Sequence, residues 1–90
     1  SSTPAEYELS SSLTFQIADR QGRPLIGPET LATRRIYVND KDNIIGTTEE
    51  EELLRREMRQ DLTRQLLFRL SSISESDLSS RESRLDQQGN

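Results

Sequence analysis

Between Tyr7 and Ala18 the chain keeps a strict two-residue period. Tyr7, Leu9, Ser11, Leu13, Phe15 and Ile17 fall on one side, and Glu8, Ser10, Ser12, Thr14 and Gln16 on the other. Successive side chains of a strand point to opposite faces, so this pattern predicts a strand with one buried face. "DRQGRP", Asp19 to Pro24, then supplies an aspartate at a turn start and Gly22 where a positive φ is needed, which reads as a hairpin connection. The return segment, Leu25 to Val38, is interrupted by Gly27 and Pro28. Proline cannot donate to a ladder, so a bulge, edge or loop is expected there, with regular pairing resuming near Thr30. On this second strand Ala32, Ile36 and Val38 alternate with Leu31, Thr33 and Tyr37, and Arg34 and Arg35 place one guanidinium on each face. Both faces are expected to be partly covered, one by a helix and the other by something absent from these 90 residues.

A helix is expected after the turn "NDKDN". Thr47 and Thr48 are each followed three positions later by a glutamate, Glu50 and Glu51, which is the capping-box spacing. Glu49 to Glu52 would then lie against the positive end of the helix dipole. Leu54, Met58, Leu62, Leu66 and Leu70 recur every four residues, widened by Leu53 and Leu67, and form the stripe that must cover the sheet. From Ser71 the chain turns Ser-rich and charged, with Ile73, Leu78 and Leu85 too sparse for a packed face. One folded unit over residues 1–72 and a flexible tail over 73–90 are expected. The fold class is α+β: an antiparallel β-hairpin followed by a long amphipathic helix.

Composition restricts the chemistry. At 90 residues and 30% hydrophobic content the chain has one small domain at most, burying about 60% of its unfolded surface. With no Cys and no His, thiol chemistry, hydrolytic triads and Cys/His metal sites are excluded. "NDKDN" lacks the spacing of a calcium loop, and the glutamates at the helix start have nothing to raise a carboxylate pKa. No catalytic residue, metal or cofactor is expected. No apolar run approaches the roughly 20 residues of a membrane span, and "SSTPAEYE" has none of the regions of a signal peptide. The net charge of −4 argues against nucleic acid as a partner. Arg55, Arg56, Arg59, Arg64 and Arg69 have Glu51, Glu52 and Asp61 at helical spacings, so local pairing is expected before a phosphate-binding face. Arg34, Arg35 and Lys41 are basic groups outside the helix, read either as a solubilising strand edge or as anion contacts.

The order of "AEYELSSSLTFQI", a glycine-containing hairpin, "TLATRRIYVND" and "EEEELLRREMRQDLTRQLLFRL" resembles the C-terminal half of the lipopolysaccharide-assembly lipoprotein family LptE, also called rare lipoprotein B, over about residues 4 to 72. The most specific parts are the Ala-Glu-Tyr strand opening, the strand with its arginines and aromatic, and Glu-Met followed by Gln-Leu-Leu and a basic-Leu end. The resemblance implies a non-enzymatic lipoprotein of the Gram-negative outer membrane, on its periplasmic side. It would sit as a plug inside the LptD β-barrel, help that barrel assemble, and contact lipopolysaccharide bound for the outer leaflet. The implied fold is a two-layer α/β sandwich with helices on one side of a sheet. The family's lipidated cysteine, first strand and first helix have no counterpart here, so a fragment is expected, with its lipid anchor outside this sequence. Relatives can carry a basic residue in the loop before the last helix; the matching place is near Thr47, which is neutral. Thr47 by position, and Arg34, Arg35 and Lys41 by charge, are therefore the candidates for lipid A phosphates. The rival reading is a self-associating module in which two hairpins complete a four-stranded sheet.

Overall fold

The computed structural model describes residues 5–89. Two strands are followed by two helices: β1 (Ala5–Ala18), β2 (Pro24–Asn39), α1 (Ile44–Ser71) and α2 (Glu75–Gln88). The strands pair antiparallel in an unbroken register from Ala5 opposite Asn39 to Phe15 opposite Glu29. Beyond that point the ladder shifts to Ile17 opposite Ile26 and Ala18 opposite Pro24. The irregularity falls where Gly27 and Pro28 interrupt the sequence, and it is a bulge: two residues of β2 stand against the single Gln16 of β1. Gly27 has φ +89°, and a Cβ there would lie 2.8 Å from the Phe15 carbonyl oxygen.

The turn is held locally. The Asp19 carboxylate accepts from the backbone N–H groups of Gln21 and Arg23 and from the Arg23 guanidinium, and Gly22 takes φ +82°. Residues directly opposite in an antiparallel pair share a face, so Leu9, Leu13, Leu31 and Arg35 lie together, and Glu8, Ile36, Ser10, Arg34, Ser12 and Ala32 lie together on the reverse. The 28-residue α1 runs along the first of these faces, packing mainly on β2 and less on β1. Leu9, Ile26, Met58 and Leu62 are the buried apolar side chains among the described residues. At about 1.5–3 kcal/mol per large apolar side chain, this seam is the principal stabilising contact of the fold. The molecule is elongated, 70 × 22 × 16 Å. Among the described residues no helix is long and apolar enough to cross a membrane.

Two expectations are corrected. The first concerns the start of α1, which is capped by Asn43 and not by Thr47 or Thr48. The Asn43 side chain accepts from the Gly46 N–H at 3.1 Å, while Thr48 lies inside the helix and donates to the Ile44 carbonyl. An asparagine is at least as good a cap as a threonine, and starting there gains an extra turn. Glu49 to Glu52 therefore sit beyond the first turn, where the dipole acts weakly. The second correction concerns the tail. Residues 75–88 form α2 and are not a flexible extension. Ser74 caps it by accepting from the Asp77 N–H, and Glu75 and Asp77 oppose the dipole in its first turn. Polar contacts dock it on the hairpin tip: Arg23 reaches Asp86 at 2.6 Å and Arg81 donates to the Leu25 carbonyl at 3.3 Å.

Glu29 and Arg69 tie β2 to the end of α1 through two hydrogen bonds of 2.7 and 2.8 Å. Those bonds from Arg69 hold the Glu29 carboxyl below its ordinary value of 4.5, outweighing the desolvation that pushes it up. A carboxylate depressed in the folded state stabilises fully above its unfolded pKa, and that stabilisation is lost as pH falls through the folded one. The melting temperature should therefore fall on acidification below about pH 4.5, and Arg69→Met should flatten the fall. Thermal melts of both proteins between neutral and acid pH check this.

Candidate functional site

The reverse face of the hairpin is bare. Ile36 is 63% exposed, with Val38 also exposed beside it. The Arg34 side chain is 74% exposed and stands 3.9 Å from Glu8, a loose pair in water. Ser10, Ser12 and Ala32 are too small to fill the space between these larger groups. A shallow groove of about 410 Å³ runs there, lined by Ser10, Ser11, Ser12, Ala32, Thr33 and Arg34. Thr14 and Thr30 continue the same face with their hydroxyls 2.9 Å apart across the ladder.

Arg35 belongs to the other side. Its guanidinium donates to the Thr33 hydroxyl at 2.9 Å and to the Arg34 carbonyl at 2.8 Å, and lies 3.8 Å from Asp61 of α1. The Thr33 hydroxyl, then Gln65, Arg35 and Arg64, hold the Asp61 carboxyl low against desolvation. Arg34 and Arg35 thus occupy opposite faces, as their adjacency in a strand requires. Lys41 is exposed in the turn after β2, and Thr47 is the residue that fastens that turn: its hydroxyl accepts from the Asp40 N–H at 3.2 Å. Roughly 17 Å of strand separates Arg34 from Asn39, where β2 ends. The fold therefore brings Thr47 to the Lys41 turn and spreads Arg34 and Arg35 away from it and from each other.

The end of the molecule bearing Lys41 is built from aromatic and apolar groups. The Tyr7 and Tyr37 rings pack with centroids 5.8 Å apart, and the Tyr37 hydroxyl donates to Glu51 at 3.2 Å. Burial, then the bond to Glu51, pushes the Tyr37 hydroxyl above its ordinary pKa, while Arg55 holds Glu51 below its own. Ile44 and Ile45 stand 71% and 76% exposed at the start of α1, which sequence reasoning did not single out. Their signal was present: two consecutive branched apolar residues outside the four-residue stripe belong to neither buried face. Among the described residues, no group of three or more acidic side chains is placed to hold a metal ion.

The chain is an elongated hairpin, backed by α1 on one face and bare on the other. Its family follows from the chain itself: residues 1–70 match the LptE model, described as lipopolysaccharide-assembly, and the protein belongs to that family. Comparison with curated proteins gives no match. The matched stretch contains both strands and nearly all of α1, and α2 lies beyond it.

Proposed function

We propose that the protein is the lipoprotein partner of an LptD-type outer-membrane β-barrel, acting on the periplasmic side as its plug and assembly factor and passing lipopolysaccharide toward the outer leaflet. The observation that carries this reading, beside the family, is the bare hairpin face, where Ile36 and Val38 are exposed opposite a helix-covered side. A strand face with apolar groups and a polar groove suits a large complementary wall better than open water. Arg34 and Lys41 are the proposed contacts to lipid A phosphates. Arg35, engaged with Thr33 and Asp61, positions β2 on α1, and Thr47 fixes the turn that presents Lys41.

The test is a pull-down from detergent-solubilised outer membrane with identification of what is retained. A large β-barrel in near one-to-one ratio supports the plug reading. Recovery of the bait alone removes it and favours self-association, which the two open edges of a two-stranded sheet would permit. For the glycolipid contact, Arg34→Glu with Lys41→Glu is expected to weaken lipopolysaccharide binding about tenfold or more while leaving the melting temperature within a few degrees. Arg35→Glu is the poorer probe, because it would set a carboxylate against Asp61.

A further inference from the structure

The arginines of α1 divide into two kinds. Arg55 is bound to Glu51 at 2.8 Å, Arg69 to Glu29 at 2.7 Å, and Arg64 stands 3.9 Å from Asp61. Arg56 and Arg59 have no carboxylate within 4.0 Å among the described residues, although Glu52 lies one helical turn before Arg56. Arg56 projects from the side of the helix away from Met58 and Leu62, while Arg59 lies on the flank, where it also borders a second recess with Met58, Ser10 and Ser11. Together with Arg64 they line an open recess of about 470 Å³ whose other walls are Gln60 and Thr63. Three arginines, a glutamine and a threonine border it; no carboxylate lines it, although Asp61 stands 3.9 Å from Arg64.

Residues three apart on a helix have Cβ atoms about 5–6 Å apart, which sets Arg56 beside Arg59. At about 1.5 Å of rise per residue, Arg64 lies about 7.5 Å further along the axis. Like charges at this spacing repel, and an anion between them turns that repulsion into attraction. The donors are suited to phosphate, since each guanidinium can present two parallel N–H groups to two oxygens. The Thr63 hydroxyl is already donating to the Arg59 carbonyl at 2.9 Å, so the donors left open among the described residues are the Arg56 and Arg59 guanidiniums and the Gln60 amide, with Arg64 held only loosely by Asp61. With a net charge of −4 over the whole chain, this cationic strip is a local feature and not the consequence of a basic protein.

We propose that Arg56, Arg59 and Arg64, with Gln60, form a phosphate-binding site on the outward face of α1, separate from the Arg34 and Lys41 contacts, that takes phosphate groups of a lipid head group. The lipid source rests on the lipopolysaccharide-assembly reading; the site does not depend on the barrel partner.

The test measures binding of the full chain to purified lipopolysaccharide, and separately to inorganic pyrophosphate as a soluble source of the same chemistry. Arg56→Gln with Arg59→Gln should weaken lipopolysaccharide binding about 25-fold, two cations at about fivefold each. Arg20→Gln with Arg84→Gln changes the net charge equally at exposed positions elsewhere and should leave binding within about twofold. Circular dichroism checks that the helices persist in each variant. Equal losses from the two pairs would mean general electrostatics and overturn the site. Wild-type binding that is unchanged in the Arg56/Arg59 pair but lost in Arg34→Gln with Lys41→Gln overturns this site and leaves the proposed function standing. Pyrophosphate binding dependent on Arg56 and Arg59, without lipopolysaccharide binding, overturns the lipid source. Binding of neither by the wild type overturns both readings.

Discussion

Met58→Asp is expected to abolish cooperative unfolding. Met58 is 2% exposed and lies in the seam where α1 meets the hairpin, one helical turn before Leu62. The substitution removes a buried apolar side chain and leaves a carboxylate with no partner in its place, a combined cost of about 4 kcal/mol or more. With four buried apolar side chains among the described residues, the fold has little reserve against a loss of that size. A thermal melt followed by circular dichroism should show a broad, non-cooperative loss of signal. Met58→Leu, which nearly conserves volume, should cost less than about 1.5 kcal/mol and keep a sharp transition. A sharp transition for Met58→Asp would mean that the helix does not depend on the sheet.

Gly27→Ala should be the second most damaging single change, at about 2–3 kcal/mol. Two separate penalties fall on the same atom. The backbone has φ +89°, where an L side chain is strained, and the new Cβ would meet the Phe15 carbonyl oxygen at 2.8 Å, the Glu29 nitrogen at 3.1 Å and the Gln16 Cα at 3.2 Å. All three are backbone atoms, which cannot rotate aside. Gly22 supplies the comparison, because its φ of +82° is similar but nothing lies within 4 Å of its Cβ position. Gly22→Ala should cost only the conformational part, about 1–2 kcal/mol. Denaturant midpoints of the two variants therefore separate the close approach from the backbone strain; equal midpoints would remove the steric argument.

The hairpin was legible because its information is local and repetitive. Each residue from Tyr7 to Ile17 states the face it occupies, and Gly27 with Pro28 marks the irregularity in the same direct way. The helical stripe was legible only in its centre: Met58 and Leu62 are buried, while Leu53, Leu67 and Leu70, expected to extend it, stand 46%, 61% and 38% exposed because the narrow two-stranded sheet does not reach them. The start of α1 was not, since Asn43, Thr47 and Thr48 are all competent caps and the choice depends on whether Thr47 is engaged by Asp40. The second helix was hidden more deeply. Its hold on the molecule comes from Arg23, Arg81 and the Ser74 cap, which are single polar contacts without period. Of the candidate contacts, the placement of Arg34 and Arg35 on opposite faces could be read from adjacency, whereas the bond network joining Arg35 to Thr33 and Asp61 depends on how α1 crosses the strands. Similarly, helical spacing offered Glu52 to Arg56 and the fold did not use it, so the local pairing expected of the α1 arginines holds for Arg55 and Arg64 but not for Arg56 and Arg59 among the described residues.

The unbroken register from Ala5 to Phe15 also limits how this hairpin can vary between related chains. Adding or removing one residue inside it would exchange the two faces beyond the change, sending Leu9 to water and Glu8 under the helix. Length differences in that stretch should therefore come as two residues in each strand, which keeps both the pairing and the faces. An odd change is best absorbed toward the tip, where the register already shifts twice, between Phe15 and Ile17 and between Ile17 and Ala18, and away from the closely packed Gly27 itself. The irregular tip is in that sense the hairpin's expansion joint: length changes there leave the faces of the regular ladder from Ala5 to Phe15 undisturbed.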